Sequence, residues 1–139
     1  MITPTTSTDP LVEALATRLR RMDLVGWKRI AAWAEQSELS FADLRLLLAL
    51  AVKMDEGPAA VSELADLAGF SPDVAYPAIH RLRGRGYLRE ERRQYSLTQQ
   101  GRELVARLDA THREGIQTYV DQLSPDEIRQ LDAAFGIAR

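Results

Sequence analysis

Residues 61–101 have the sequence VSELADLAGFSPDVAYPAIHRLRGRGYLREERRQYSLTQQG. In the first part of this stretch, apolar residues recur at helical spacing as far as Ala68. Gly69 follows, and glycine readily adopts the left-handed conformation that ends a helix. Ser71 and Pro72 then indicate a second helix start, because serine can cap free N–H groups and proline suits the first turn. The pattern predicts two short helices joined by a glycine turn.

The second of these helices is predicted to have one apolar face and one polar face. Its apolar positions are Val74, Ala78, Ile79 and Leu82. Its polar positions are Asp73, Tyr76, His80, Arg81, Arg83 and Arg85. Gly84 and Gly86 end the helix, and residues 87–88 and 95–97 flank a charged tip, as the two strands of a β-hairpin do. The order of helix, turn, helix and hairpin predicts a winged helix-turn-helix.

Basic residues are concentrated in this stretch, although the whole chain has a formal net charge of -2. Six arginines fall within 13 residues, opposed only by Glu90 and Glu91. They are Arg81, Arg83, Arg85, Arg89, Arg92 and Arg93. A local cluster of cations displaces the counterions condensed on DNA phosphates, and arginine can also bond bidentately to guanine. On a helix-turn-helix the cluster predicts binding to double-stranded DNA; elsewhere it would indicate only a solvated surface.

Composition excludes several other classes of protein. A length of 139 residues with 45% hydrophobic residues is typical of one globular domain with its own core. The absence of cysteine excludes disulfides, thiolate metal sites and thiol oxidation as a switch. No H-E-x-x-H motif, glycine-rich phosphate loop or serine-nucleophile motif is present, so neither an enzyme nor a bound cofactor or metal is expected. The start, MITPTTSTDP, lacks signal-peptide features, and no apolar run reaches the ~18 residues of a membrane span, so we expect a cytoplasmic protein.

Long amphipathic helices are predicted on both sides of the central motif. The first covers residues 9–36, and its apolar stripe consists of Leu11, Leu15, Leu19, Met22, Gly26, Ile30 and Trp33. Ser40 with Asp43 at the third helical position predicts a capping box for the next helix. After the hairpin, a helix is expected over residues 99–122, and Ser124 opens the last one. The last helix is expected to bury Ile128, Leu131, Ala134 and Phe135.

The fold class predicted is therefore mainly α: a winged helix-turn-helix with a small β-hairpin wing and long flanking dimerisation helices. We interpret residues 1–8 as a disordered tail and residues 9–139 as a single domain, with a DNA-binding winged helix over 40–98 and dimerisation helices over 9–37 and 99–139. The flanking helices have more apolar surface than one small core uses, which favours an isologous homodimer. The alternative is that all these apolar faces pack within one chain.

The chain resembles the transcriptional regulators of the multiple antibiotic resistance regulator (MarR) type over about residues 11–136. The resemblance is carried by VSELA at 61–65, RL at 81–82 with GYL at 86–88, LT at 97–98 with Gly101, and LSPDE at 123–127 with Leu131. The segment YPAIHRL at 76–82 is similar instead to the related PadR group. The resemblance implies a dimeric, sequence-specific DNA-binding protein, with a repressor that covers a pseudo-palindromic operator as the expected form.

The resemblance also implies a small lipophilic or phenolic effector near the junction of the dimer helices and the winged helix. Aromatic and histidine side chains are the candidates to line such a site, although apolar residues at helical spacing are more often core. The candidates are Trp27, Trp33, His112 and Tyr119, with Met22 and Met54 beside them.

The side chains predicted to contact DNA are those of Ser71, Asp73, Tyr76, His80, Arg81, Arg83, Arg85, Arg89, Arg92 and Arg93. Four of them have alternative roles: Ser71 as a helix cap alone, Tyr76 in packing against the preceding helix, His80 as a solvated surface residue, and Arg81 in bonding to a neighbouring helix. The resemblance implies an Asp-x-Arg motif at the tip of the wing, whose arginine reaches a minor groove. This chain lacks that motif, and either Arg92 or Arg93 can take its part.

Pro77 falls about six positions into the predicted recognition helix. A proline there removes one backbone hydrogen bond and costs ~3 kcal/mol in a helix interior. The sequence leaves open whether the helix kinks at this residue or continues through it.

Two other function classes are compatible with a winged helix. One is a protein–protein interaction module, such as an antirepressor or adaptor, which need not keep the arginine cluster. The other is an architectural DNA binder, whose affinity would depend on salt in the same way but without preference for a sequence.

Overall fold

The computed structural model describes residues 9–139, and the tail predicted over residues 1–8 lies outside the described residues. Six helices and three strands form within the described part. They are α1 Pro10–Gln36, α2 Phe41–Lys53, β1 Ala59–Ala60, α3 Val61–Ala68, α4 Pro72–Gly84, β2 Leu88–Glu91, β3 Gln94–Leu97, α5 Gln99–Asp121 and α6 Pro125–Ala134. None of the helices in residues 9–139 is long and apolar enough to cross a membrane.

The chain divides into two compact units. One consists of the residues up to Ile30 together with Thr111–Arg139, and the other of Ala31–Ala110. The second unit contains α2, α3, α4 and the sheet, and we call it the winged-helix unit.

The core of the winged-helix unit is built from the inner faces of its helices. Its most deeply buried large side chains are Leu46, Leu47, Leu64, Ile79, Leu82 and Leu104. The capping box predicted for α2 is present, because the Ser40 hydroxyl accepts from the Asp43 backbone N–H at 3.1 Å and the Asp43 carboxylate accepts from the Ser40 N–H at 2.9 Å. This local bonding fixes where α2 begins.

The helix-turn-helix follows the predicted order. Gly69 has a φ of 82° and ends α3, as the sequence predicted. α4 continues from Pro72 to Gly84, so the chain does not end the helix at Pro77. The predicted apolar face of α4 is wrong at one position: Val74 is 48% exposed, whereas the next residue, Ala75, is fully buried. The inner face of α4 is close to α2 and α3, and the small alanine side chain fits there.

The wing is part of a three-stranded antiparallel sheet of order β1-β3-β2. β2 and β3 form the predicted hairpin, in which Glu91 pairs with Gln94 across a two-residue turn. The sequence did not predict β1, in which Ala59 pairs with Tyr95. Two alanines have little intrinsic preference for a strand, so the pairing depends on β3 and not on local sequence.

The other unit contains a close helix crossing between Gly26 on α1 and Gly115 on α5. A Cβ added at Gly115 would lie 2.8 Å from the Gly26 Cα, whereas one added at Gly26 would lie 3.8 Å from the Gly115 Cα. Tyr119 is buried in this unit, and its hydroxyl accepts from Arg18 at 3.4 Å. Ser124 caps α6 as predicted, and the hydrogen bond from its backbone N–H lowers the pKa of the Glu127 carboxyl.

Much of the apolar surface of this unit is exposed in the single chain. The large apolar side chains with at least a third of their surface exposed include Leu11, Leu15, Leu19, Ile116 and Phe135. Within the single chain, the apolar residues that α6 was predicted to bury are not buried. Phe135 is 74% exposed, Ala134 is exposed, and Ile128 and Leu131 are only half-buried. The apolar periodicity identified the helix but could not tell what its face packs against.

Candidate nucleic-acid interface

The outward face of α4 carries polar and aromatic side chains. Asp73, Tyr76, Pro77 and His80 are all exposed, because the core takes the opposite face of the helix. The rings of Tyr76 and His80 stack with their centroids 6.5 Å apart and their planes at 27°. The alternative role of Tyr76, packing against the preceding helix, therefore finds no support from its 48% exposure.

Arg81 lies at the side of this face and connects α4 to the start of α2. Its guanidinium donates to the Asp43 carboxylate at 2.9 Å and to the Ser40 hydroxyl at 3.3 Å. Asp43 is the one charged residue among residues 9–139 that is buried, so its charge has to be balanced and hydrogen-bonded. The structure thus shows the inter-helix bond that was the alternative role predicted for Arg81, and a DNA contact by this residue stays a prediction.

Arg83 and Arg85 also have partners within the winged-helix unit. Arg83 forms an ion pair with Glu90 of the wing. Arg85 donates to the backbone carbonyl oxygens of Ser37 at 2.7 Å and Glu38 at 2.8 Å, just after the last turn of α1. Its guanidinium also lies 5.2 Å from the centre of the Tyr87 ring. These contacts favour structural roles, and phosphate contacts by the two arginines stay predictions.

The wing presents the other arginines of the cluster. Arg89, Arg92 and Arg93 are exposed, and none of them forms an ion pair with any residue that the structure describes. Arg92 and Arg93 form the two-residue turn with φ values of 53° and 63°. Positive φ at both positions is the requirement of a type I′ hairpin turn, which favours asparagine and glycine and not arginine. The turn therefore holds two cations at the tip of the wing in a conformation that strains their backbone.

Ser71 lies at the start of α4, and Tyr95 is a buried residue of β3. Ser71 occupies the N-cap position of α4, but its side chain makes no capping hydrogen bond, so the predicted side-chain cap is wrong. The backbone carbonyl of Ser71 accepts from the N–H groups of Val74 and Ala75 instead. Tyr95 is part of the buried core, and its burial raises the pKa of its hydroxyl.

The predicted effector residues do not share one unit. Trp27 and His112 are exposed and Tyr119 is buried in one unit, whereas Trp33 belongs to the winged-helix unit. Trp33 borders a cavity of ≈ 370 Å³. The lining residues of this cavity are Trp33, Gln36, Ser37, Glu38, Arg85, Tyr87, Leu104 and Arg107. An effector site stays a prediction. No group of three or more potential metal ligands occurs among residues 9–139.

Comparison with solved structures identifies the fold, whereas no family model and no curated protein matches the chain. The chain is similar to RV1404 from Mycobacterium tuberculosis at 26% identity and a TM-score of 0.67, covering 98% of this chain and 94% of that one. A MarR family protein from Bacillus stearothermophilus aligns at 15% identity and a TM-score of 0.70, covering 94% of each chain.

A third similar structure is the MarR family protein Rv2887 from M. tuberculosis in complex with DNA, at 20% identity and a TM-score of 0.68, covering 88% of this chain and 94% of that one. Rv2887 in complex with p-aminosalicylic acid also aligns, at 20% identity and a TM-score of 0.63, covering 88% of this chain and 95% of that one. The chain therefore has the fold of MarR-type winged helix-turn-helix proteins, and the predicted mainly α fold with a small hairpin wing is confirmed.

Proposed function

We propose that this chain, which has the MarR fold, is a dimeric transcriptional regulator that binds a specific sequence of double-stranded DNA. The observation that carries the proposal is the wing, where Arg89, Arg92 and Arg93 are exposed and unpaired among residues 9–139. Unpaired surface cations next to an exposed helix face are what phosphate binding requires. The DNA complex of Rv2887, a protein of the same fold, supports the proposal.

In the proposed complex, α4 enters the major groove with its outward face. Tyr76 and His80 lie on that face and would contact base edges, while the arginines of the wing contact phosphates and the adjacent minor groove. The Ser71 hydroxyl, which makes no capping bond, is available to a phosphate at the N-terminus of α4. The partial positive charge of a helix N-terminus favours an anion at this place.

The proposed dimer uses the unit that contains residues up to Ile30 and Thr111–Arg139. Its exposed Leu11, Leu15 and Leu19 are spaced four residues apart on one side of α1. Burying this apolar stripe against a second copy would remove it from water and place two recognition helices on one DNA molecule. In this proposal, residues 9–37 and 99–139 form the dimerisation helices and residues 40–98 the DNA-binding winged helix. Repression would follow when the dimer covers its operator.

Selection of bound sequences from a random double-stranded library at ~150 mM salt tests the proposal, because non-specific binding is weak there. We expect an inverted repeat whose half-sites lie about one DNA turn apart, and a complex that sediments with the mass of two chains and one duplex. Affinity that falls steeply with salt but shows no sequence preference would favour an architectural DNA binder. Affinity that is absent at any salt concentration would favour the protein–protein interaction module.

We infer further that the regulator responds to an aromatic acid bound in the cavity beside Trp33. The lining of the cavity includes Trp33, Tyr87 and Arg107, two aromatic residues and a cation, which suits a ring that carries an acidic group. Because Arg85 also follows the last turn of α4, occupancy of the cavity can act on the recognition helix.

Addition of p-aminosalicylic acid, the compound bound by Rv2887, to the protein–operator complex tests this inference. We expect the affinity for DNA to fall about fivefold or more, as is usual for allosteric coupling. The R107A variant should lose the response. The matched control R102A removes an exposed arginine that does not border this cavity, and it should keep the response. An equal response in both variants would place the ligand elsewhere.

A further inference from the structure

The arginines of the recognition helix are all engaged within the protein. Arg81 bonds to Asp43 and Ser40 on one side of the outward face, and Arg83 pairs with Glu90 on the other. Arg85, at the end of α4, bonds to two backbone carbonyl groups. An arginine that recognises guanine presents two of its five N–H donors to the O6 and N7 atoms of the base. Here one terminal nitrogen of Arg81, one of Arg83 and both of Arg85 already donate to protein acceptors.

Apolar surface remains on the part of α4 that faces outward. Tyr76 and Val74 are each 48% exposed, and Pro77 is exposed beside them. These three residues belong to the N-terminal half of the helix, which is the half that contacts base edges in helix-turn-helix complexes. None of them is buried in the core, so the exposed part of their apolar surface is accessible to a partner.

Thymine is the one DNA base that presents a methyl group in the major groove, and apolar side chains recognise it by contact. We propose that this protein recognises its half-site chiefly through thymine methyl groups, contacted by Tyr76 and Pro77, and without an arginine–guanine contact from α4. The inference rests on the proposed function and adds the chemical class of base that the recognition helix selects.

Pro77 allows the recognition role to be separated from the fold. Its ring lies in the interior of α4, where proline lacks the N–H that would bond to the Asp73 carbonyl, yet the ring is exposed and fills no core space. Replacing it by alanine restores that hydrogen bond and should raise the melting temperature. A loss of thymine recognition in a more stable protein cannot come from unfolding.

The experiment uses the full chain and its selected operator, in which single thymines are replaced by deoxyuridine. Deoxyuridine keeps every hydrogen-bonding group of thymine and lacks only the methyl. We expect one or two positions in each half-site to lose about fourfold in affinity, the value of one buried methyl group. The Y76A and P77A variants should each lose the sensitivity to deoxyuridine at the thymine that the replaced residue contacts. The Y76F variant, which keeps the ring, should retain it.

Two results would overturn the inference, and they differ from each other. The first result is that replacing guanine by 7-deazaguanine, which lacks the N7 acceptor, weakens binding, whereas deoxyuridine has no effect. That result would show guanine recognition and leave the proposed function intact. Failure to select any sequence would remove the proposed function, and the inference with it. As a control, V52A shortens an exposed valine on α2, outside the proposed interface, and should leave affinity for every substituted operator unchanged.

Discussion

Replacement of Gly101 by alanine is expected to destabilise the winged-helix unit by about 3 kcal/mol or more, the upper range for overpacked sites. A Cβ at this position would lie 2.1 Å from the Tyr87 carbonyl oxygen and 3.0 Å from a Leu97 methyl carbon. Alanine would improve the helix propensity of α5 by about 1 kcal/mol, which is too little to offset the clash. Urea unfolding followed by circular dichroism measures the change.

The clash cannot be relieved by moving a flexible side chain, because the atom in the way belongs to the backbone. The Tyr87 carbonyl accepts from the Thr98 backbone N–H at 3.0 Å, and the Thr98 hydroxyl donates to the Gly86 carbonyl at 2.6 Å. Displacing this carbonyl would break the bonds that fix the start of α5 against the strand that leads into the wing. The matched control is G84A, where an added Cβ meets no atom within 4 Å. If G101A unfolds at the same urea concentration as the parent, the close contact between Gly101 and the Tyr87 carbonyl oxygen is contradicted.

Local signals in the sequence predicted the helices well, because each depends on residues a few positions apart. The capping boxes at Ser40 and Ser124 and the end of α3 at Gly69 need only short-range bonds, and all three are present. The partner of Asp43 could not be predicted in the same way. The carboxylate bonds to Arg81, which lies 38 residues further along the chain. Only the packing of α4 on α2 brings the two side chains together.

The same difference between local and long-range contacts divides the arginine cluster. From the sequence, the six arginines of the cluster were interpreted as one patch of positive charge. In the structure, Arg83 and Arg85 have partners on the wing and beyond the end of α1, whereas Arg89 of the wing has none within residues 9–139. Charge spacing along a chain predicts where cations concentrate, but only the fold determines which of them are already paired.

The burial of residues on the flanking helices could not be predicted from the sequence either. An apolar stripe indicates a helix face that avoids water, and it does not indicate whether the covering surface comes from the same chain. Leu11 and Phe135 follow the helical pattern and yet are 63% and 74% exposed. In the proposed dimer this surface is covered by the second copy. The apolar pattern and the exposure of these residues in the single chain are then consistent with each other.

The double variant R92N/R93G is expected to make the protein more stable and a weaker DNA binder. Both positions have positive φ, a conformation that costs most residues about 1–2 kcal/mol each but suits asparagine and glycine in a type I′ turn. The unfolding free energy should therefore rise by about 1–2 kcal/mol in total, since glycine also adds entropy to the unfolded chain. If each arginine contacts a phosphate, the slope of log affinity against log salt should flatten by about 1.8 for each chain, or about 3.6 for the proposed dimer.

The control for this variant is R92K/R93K, which keeps both charges and the strained turn. It should match the parent in stability and in salt dependence, although arginine and lysine differ in the geometry of their hydrogen bonds. Urea unfolding and operator titration at several salt concentrations measure the two effects separately. A more stable R92N/R93G protein with unchanged affinity and slope would exclude the tip of the wing from the DNA interface, whereas a less stable one would show that the turn is not strained. The expected result, opposite changes in stability and affinity, would mean that the tip keeps a strained backbone in order to present two cations to DNA.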